Sequence, residues 1–215
     1  MPANSPVTAH GGGAAQRLSP PGMLNDRSSA FALLSTRRSL KPKELSGPAP
    51  DAAALEQILR VGARVPDHGK LAPWRFVVVP PATRGAFADL LERAYRAEQG
   101  ASEDANLTKV REFAHPDLAL IAVLSAPQPN HKIPVWEQEL SAGAACLNLL
   151  HAATALGFAG AWLTGWAAYS SAVAQALGAA AHERIAGFVF VGTPAAQPTE
   201  RERPPIERVA LMWNP

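Results

Sequence analysis

One stretch of this chain decides how its parts are arranged: residues 63–79, which read ARVPDHGKLAPWRFVVV. Its first residues end an apolar helical pattern, and its last residues form an apolar run of strand length. Between them lies a polar loop bracketed by Pro66 and Pro73, which restrict the backbone at both ends. Rigidly held polar loops often carry binding or catalytic groups. The stretch therefore predicts a helix–loop–strand unit with a candidate site in its loop, the alternative being an ordinary solvated loop.

Similar patterns on either side of this stretch predict a layered α+β fold. Apolar runs of strand length occupy residues 76–79, 118–124, 159–163 and 185–191. Helical patterns begin near Ser29, Asp51, Thr83, residue 104, Val135 and Ser170. Four strands mixed with five or six helices are typical of α+β or α/β layered architectures.

The chain has the size and composition of one globular domain. It contains 215 residues, of which 47% are hydrophobic and 18% are charged, and this suffices for a sizeable core. Residues 1–27 are rich in Pro, Gly, Ala and Ser and bury little apolar surface. We therefore predict a disordered tail over 1–27 and a single domain over 28–215.

Composition also argues against several classes of protein. The formal net charge is +2 without a block of basic residues, so nucleic-acid binding is not favoured. No apolar run reaches the ~18 residues of a membrane span, and the N-terminus lacks the order of a secretory signal. The single cysteine, Cys146, sits in an apolar helical pattern, which predicts a buried thiol in a reducing compartment. We therefore expect a cytoplasmic protein.

The longest helical pattern, residues 135–156, is followed by Gly157, a residue suited to ending a helix. Its middle, residues 141–147, reads SAGAACL and is small or apolar on nearly every face. A helix that is apolar all round is buried. In a chain this short, such burial predicts that a second subunit covers part of the helix.

Arg37, Arg38 and Ser39 form the first candidate binding motif, directly after the first predicted helix. Guanidinium groups bind phosphate in bidentate fashion, and a serine hydroxyl suits a polyol chain. The alternative is that the two cations only complement the negative end of the helix.

A second candidate is the glycine-rich segment GFAGAWLTG, residues 157–165. Its glycines permit close approach of the backbone to a planar ligand, or alternatively tight packing between a helix and a strand. The segment lacks the G-x-G-x-x-G spacing of a dinucleotide fingerprint.

Familiar motifs for chemistry carried by the protein itself are absent from the sequence. There is no phosphate-binding G-x-x-x-x-G-K-[ST], no H-E-x-x-H and no G-x-S-x-G. The histidines at 115, 131, 151 and 182 lack the spacing of metal ligands, so we predict no metal site. An enzyme of this kind takes its chemistry from a cofactor, and we assign no catalytic side chain.

Taken together, these segments resemble the nitroreductase family of FMN flavoproteins, and within it the YdjA-like branch. The resemblance spans about residues 28–210 in one continuous order. It rests on LLSTRRS (33–39), ILRVGARVPDH (58–68), PWRF (73–76), HKIPVWEQELSAG (131–143), GFAGAW (157–162) and GFVFVGTP (187–194).

The resemblance implies an intertwined homodimer built on a central, mainly antiparallel sheet between helices, with two FMN molecules at the subunit interface. Arg37, Arg38 and Ser39 of one subunit would hold the phosphate, ribityl chain and pyrimidine side of FMN. Arg64 and His68 would come from the other subunit. The opening loop is thus expected to complete a site that is shared between two chains.

Further residues are assigned by the same resemblance. Trp162, Leu163 and Thr164 would line the isoalloxazine ring, and Arg201 and Arg203 match a basic pair near the C-terminus that binds the phosphate. Leu163 departs from the polar residue that close relatives carry, and its side chain cannot donate a hydrogen bond. The NAD(P)H contacts would come from Ala152, Ala153, Thr154, Ala155, Leu156 and Gly157.

The function implied is an FMN-dependent oxidoreductase with a ping-pong mechanism. Hydride would pass from NAD(P)H to a nitroaromatic, quinone or similar small-molecule acceptor. Two alternatives remain at this point: a flavin-binding storage or sensor protein without NAD(P)H turnover, and another flavin redox reaction on the same fold, such as enone reduction or dehydrogenation.

Overall fold

The structure is a computed structural model and describes residues 5–6, 23–100, 104–115 and 117–214. Within these ranges the helices are α1 (Ala30–Thr36), α2 (Ala52–Gly62), α3 (Arg84–Gln99), α4 (Asp104–Glu112), α5 (Val135–Ala155), α6 (Gly165–Tyr169), α7 (Ser171–Ala176) and α8 (Ile206–Val209). The strands are β1 (Ser5–Pro6), β2 (Leu45–Ser46), β3 (Trp74–Val78), β4 (Ala119–Ser125), β5 (Ala159–Leu163), β6 (Arg184–Pro194) and β7 (Leu211–Met212).

The main sheet is built around β6, its longest strand. β6 pairs with β4 and β5 along its length and with β2 at its end, and β3 adds outside β4. All of these pairs are antiparallel. The four predicted strands are therefore confirmed, with small shifts of their ends, and the predicted α+β class with a mainly antiparallel sheet is confirmed as well.

Helices cover both faces of this sheet. On one face, α5 and α2 pack against the sheet through a core that contains Ile58, Cys146 and Leu149. On the other face, α3, α6 and α7 enclose a core that contains Leu91 and Phe188. Alternating side chains of β4 enter the two cores in turn, as the period of a strand requires. In the described part of the chain, no helix is both long and apolar enough to cross a membrane.

The predicted long helix is confirmed as α5. It ends at Ala155 with Leu156 as its C-cap, and Gly157 follows with a φ of +93°, a left-handed conformation that suits glycine. The next N–H, that of Phe158, donates to Ala153 O at 2.9 Å and closes the helix end. Cys146 on this helix is fully buried, and burial raises the pKa of its thiol to about 12. The prediction of a buried thiol is confirmed.

The opening loop joins α2 to β3 through a tightly held turn. The Asp67 carboxylate accepts hydrogen bonds from the N–H groups of Leu71 and Ala72, both at 2.9 Å. Lys70 and Ala72 have φ values of +56° and +46°, which non-glycine residues seldom adopt. The Asp67 side chain therefore fixes the shape of the loop by accepting from the loop's backbone N–H groups, a turn role that short acidic side chains commonly play.

Most of the predicted tail, residues 1–27, lies outside the described residues, and its disorder stays a prediction. Two short parts of it are described: Ser5–Pro6, which pairs with β7, and residues 23–27. The N–H of Asn25 donates to Thr36 O at 3.0 Å, and its Oδ1 accepts from the N–H of Arg38 at 2.7 Å. The described fold therefore begins a few residues before Ser28, bound to the end of α1.

Candidate functional site

The chain turns sharply at the end of α1 and presents Arg37, Arg38 and Ser39 together. Arg37 is the C-cap and has an extended backbone, so the residues after it leave the helix axis. Its Nη1 donates to Ser39 Oγ at 3.1 Å. Arg38 is held from the far end of the chain, because its Nε donates to Thr199 O at 2.9 Å and lies 3.5 Å from Glu200 Oε1. The predicted motif is therefore a fixed, partly buried cluster.

The charge around Arg37 is strongly positive. Burial lowers the pKa of the Arg37 guanidinium below its ordinary value, and the nearby cations of Arg38 and Arg203 lower it further. Both causes oppose the charged form, which arginine nevertheless keeps at neutral pH. A bound anion would relieve this opposition. A phosphate dianion fits the cluster well, because guanidiniums bind its oxygens in pairs.

A cavity of about 270 Å³ adjoins this cluster and brings a second predicted segment to it. Arg38, Ser39 and Leu40 form one wall, and Ala161, Trp162 and Leu163 form the other. The N–H of Leu40 donates to Gly160 O at 3.3 Å, which joins the two walls. The arginine motif and the tryptophan segment therefore meet in space, although about 120 residues separate them in the sequence.

The three residues assigned to the isoalloxazine differ in their surroundings. The Trp162 side chain is 39% exposed, and its Nε1 donates to Ala186 O at 3.1 Å. Leu163 packs against the core cluster on the opposite face of the sheet, which accounts for its apolar side chain. Thr164 is exposed at the start of α6. Trp162 is thus the large side chain of this group that faces the cavity.

The glycines of the same segment serve packing and turns. A Cβ on Gly160 would lie 2.7 Å from Phe190 O on the neighbouring strand. Only glycine fits this close approach of β5 to β6. Gly165 has a φ of +63° and begins α6. The packing interpretation of this segment therefore holds at Gly160.

The two C-terminal arginines occupy different places. Arg203 is close enough to Arg37 to lower its pKa. The Arg201 side chain is exposed, and the N–H of Arg201 donates to Glu200 Oε1 at 2.7 Å. The fold therefore adds Arg203 to the arginine cluster, while Arg201 contributes its backbone to the segment that holds Arg38.

Arg64 and His68 contact different parts of α5 in the same chain. The Arg64 carbonyl accepts from Asn148 Nδ2 at 3.1 Å, and the Arg64 side chain is exposed. His68 Nδ1 lies 2.7 Å from Glu137 Oε2, near the start of α5. Arg37 instead lies beside His151 near the end of α5, where it and burial lower the histidine pKa.

The length of α5 separates His68 from the arginine cluster. His151 lies fourteen positions after Glu137 on this helix, which corresponds to about 21 Å at 1.5 Å per residue. Within one chain, His68 therefore lies away from the arginine cluster. Arg64, at the start of the loop, instead contacts Asn148, one turn before His151.

The segment assigned to NAD(P)H is half buried and half exposed. Ala152, Ala153 and Thr154 are at most 5% exposed and belong to the interior of the fold. The exposed half comprises Ala155, Leu156 and Gly157. A nucleotide bound at this helix end would therefore meet mainly the exposed half, with Ala152 and Thr154 reached through the cavities that they line.

Several neighbours of the site escape sequence reasoning. Four residues, each far from its partner in the sequence, contact a site residue across 13 to 162 positions: Asn25, Ala186, Thr199 and Glu200. No local pattern marks such partners, because only the fold brings them together. Within the described ranges, no group of three or more His, Cys, Asp or Glu residues could hold a metal ion.

Comparison with known proteins identifies the family. Residues 34–193 match the model of the nitroreductase family. "Putative NAD(P)H nitroreductase YdjA" of Escherichia coli K12 is 39% identical over 165 residues, which cover 77% of this chain and 88% of that protein. "Putative NAD(P)H nitroreductase" of Haemophilus influenzae is 37% identical over 174 residues, which cover 80% of this chain and 92% of that protein.

Solved structures show the same fold. A nitroreductase-like family protein from Bacillus cereus aligns with a TM-score of 0.71 at 21% identity, covering 85% of this chain and 95% of that one. A nitroreductase with bound FMN from Bacteroides fragilis aligns with a TM-score of 0.57 at 24% identity, covering 79% and 91%. Because the family model matches most of the chain and the bacterial relatives are similar over most of their length, this protein belongs to the nitroreductase family.

Proposed function

We propose that this protein binds FMN and transfers hydride from NAD(P)H to a nitroaromatic, quinone or similar small acceptor. The observation that carries the proposal is the positive cluster of Arg37, Arg38 and Arg203 beside the cavity that Ser39 and Trp162 line. Relatives named as NAD(P)H nitroreductases and a fold neighbour with bound FMN support the same reaction class.

The residues present suit FMN in their chemistry. Arg37 and Arg203 would bind the phosphate, and Ser39 the ribityl chain, while Trp162 would face the ring system. Arg38 reaches the cavity with its guanidinium already fixed by Thr199 O and Glu200. When bound, FMN supplies the ring that accepts and donates hydride.

The protein's part in the reaction is orientation and electrostatics. A guanidinium near the ring, that of Arg38 or Arg64, would stabilise the negative charge that reduction creates. No side chain of the cluster has to act as an acid or base, since both arginine and the indole keep their protons at neutral pH. One open cavity would serve donor and acceptor in turn, so we expect ping-pong kinetics.

A homodimer would complete this site. Large apolar side chains remain exposed on the outer face of α5: Trp136 at 66%, Leu140 at 53% and Leu147 at 41%. Gly143 and Ala144 lie between Leu140 and Leu147 on this face. Exposed apolar surface of this kind marks an interface, and small residues at its centre permit two helices to approach closely.

The spacing along α5 supports a two-fold arrangement. An axis that passes between Gly143 and Ala144 would place the first half of one α5 against the second half of the other. The His68 end of one subunit would then lie beside the Arg37 end of its partner, which removes the separation of about 21 Å within one chain. His68 would thus reach an FMN whose phosphate is held by the other subunit, and we propose the same role for Arg64 on the resemblance to the family.

The first experiment is an absorption spectrum of the purified protein, before and after anaerobic addition of NADPH or NADH. We expect a flavin spectrum that bleaches with the nicotinamide donor and returns when a nitroaromatic or a quinone is added. Steady-state rates should give parallel lines in double-reciprocal plots, as ping-pong kinetics require. A colourless protein that gains no FMN on reconstitution would contradict the proposal.

A binding protein without turnover is the second candidate, suggested by the apolar Leu163. The packing of Leu163 against the core on the opposite face explains that residue without any loss of function. The same experiment separates the two candidates, because a bound flavin that neither NADH nor NADPH reduces would favour storage or sensing.

A further inference from the structure

The Trp162 indole donates a hydrogen bond to a residue of β6 other than the one that pairs with Trp162 in the sheet. In the register of β5 and β6, Trp162 lies opposite Val189. Its Nε1 nevertheless donates to Ala186 O, three residues away along β6, at 3.1 Å. The ring therefore lies along β6 and toward α5, where a Cβ on Gly143 would be 3.9 Å from Cη2 of the indole, an ordinary packing distance.

A bulge in β6 accounts for the availability of the Ala186 carbonyl. The pairing with β4 passes from Val123 opposite Gly187 to Leu124 opposite Ile185, and Ala186 has no residue opposite it. A bulged residue leaves the regular ladder and its peptide group is re-aimed. A backbone carbonyl at such a place needs another donor, and the Trp162 N–H supplies one.

Gly187 provides the space in which the indole lies. A Cβ at this position would fall 2.0 Å from Trp162 Nε1, 2.4 Å from Cδ1 and 3.1 Å from Leu163 O. The φ of Gly187 lies outside the left-handed region, so the backbone conformation does not itself require glycine. The indole occupies the space that a side chain at position 187 would fill.

We propose that the bulge at Ala186 and the bare backbone at Gly187 together lock the Trp162 indole in place before any ligand binds. Gly187 is then a positioning residue for the planar ring system bound in the cavity beside Arg38 and Ser39. The proposal rests on FMN as that ligand, the proposed function above. Because the Trp162 indole is already ordered, binding does not cost the free energy of ordering this large side chain, and affinity is higher.

The test compares the full-length wild type with Gly187→Ala in the absence and presence of FMN. The indole N–H signal of Trp162 is identified among five tryptophans by its loss in Trp162→Phe. In Gly187→Ala we expect this signal to shift and its hydrogen exchange to quicken at least tenfold, with the melting transition retained. FMN binding should weaken about fivefold, the size expected when one side chain has to be ordered on binding.

Gly85→Ala is the matched control, because a Cβ on Gly85 of α3 meets no atom within 4 Å. It should change neither the indole signal nor FMN binding. A second comparison places Gly187→Ala in a Trp162→Phe background, where it should cause no further loss of FMN affinity, since neighbouring residues that act together are not additive.

Two results would overturn the proposal: an unchanged Trp162 signal in Gly187→Ala, or an equal loss of FMN affinity with and without Trp162. If Gly187→Ala does not fold, Trp162→Phe alone decides, since it removes the donor and keeps Gly187. Its FMN binding should weaken by about the same factor, and wild-type affinity would refute the lock. A wild type that binds no FMN would contradict the proposed function, while the indole signal would still report whether the ring is locked.

Discussion

The buried Arg84 and the half-buried Arg37 are held by the fold in opposite ways. Arg84, at the start of α3, is 3% exposed, and its guanidinium donates to four backbone carbonyls, those of Val79, Ala114, His115 and Leu118. Arg37 is surrounded instead by other cations, among them Arg38 and Arg203. Backbone carbonyls satisfy the Arg84 guanidinium with hydrogen bonds, whereas burial and neighbouring cations disfavour the charged form of Arg37.

The surroundings of a guanidinium distinguish a structural arginine from a ligand-binding one. Burial alone lowers the pKa of Arg84, to about 10, and the carbonyls around it compensate for lost water through hydrogen bonds to a charged donor. Like charges add to burial at Arg37, and a bound anion would stabilise a cluster of that kind. We therefore assign Arg84 to the fold and Arg37 to the proposed phosphate site.

The largest effect is expected for Arg84→Met. The substitution keeps the bulk of the side chain and leaves four carbonyls without their donor, at a cost of about 3 kcal/mol or more in the free energy of unfolding. Chemical denaturation measures it. Arg93→Met on the exposed side of α3 is the control and should change stability by less than about 0.5 kcal/mol. A small effect at Arg84 would remove the structural half of the comparison.

Arg37→Ala should have the opposite effect to Arg84→Met, with a large loss of FMN affinity and little loss of stability. FMN affinity should fall about 10- to 100-fold, since one charge-assisted contact contributes about 1.5–3 kcal/mol. The stability of the FMN-free protein should change by no more than about 1 kcal/mol, because a repulsive neighbour is removed together with one hydrogen bond. Flavin fluorescence titration measures the affinity, with Arg93→Ala as the control for loss of one positive charge. Wild-type FMN affinity in Arg37→Ala would refute the phosphate role.

The smallest expected effect is the dependence of the free energy of unfolding on pH. Burial and the Arg37 charge lower the pKa of His151, and burial lowers that of His115. Below about pH 6.5 the unfolded chain binds protons that the folded chain does not. Stability should therefore fall as the pH drops below that value and should be fully present above it.

His151→Gln should reduce this loss, and His115 should account for what remains. Bound FMN should reduce it too, because a phosphate near Arg37 offsets the positive charge that opposes protonation of His151. Denaturation curves between pH 5 and 8, with and without FMN, measure the dependence. An identical slope in wild type and His151→Gln would show that the histidine does not sense the cluster.

The sequence predicts those parts of the fold that have a strong local pattern. β4 is a continuous apolar run and α5 a long one with a glycine after it, and both are where the pattern indicates. The two-residue strand β2 and the four-residue helix α8 were not predicted, because elements of this length are too short to show a periodic pattern of apolar residues. At the site, the arginine motif and Trp162 follow from the resemblance to the family.

The rest of the site depends on contacts between distant parts of the chain. Arg84 was not predicted because an arginine at a helix start looks like any surface residue in the sequence. Ala186 and Gly187 owe their roles to a bulge, which has no marker in a run of apolar residues. The separation of His68 from Arg37 follows only from the length of α5. Because of this separation, the predicted composite site requires a partner subunit that brings His68 to the arginine cluster.

The most direct test of the phosphate assignment is the affinity of the FMN-free wild type for FMN compared with riboflavin, which lacks the phosphate. Two or more charge-assisted contacts to phosphate oxygens predict that FMN binds at least about 100-fold more tightly. The advantage should shrink with added salt, as it does for exposed charge pairs. Equal affinity for FMN and riboflavin would contradict the claim that the Arg37, Arg38 and Arg203 cluster exists to hold a phosphate.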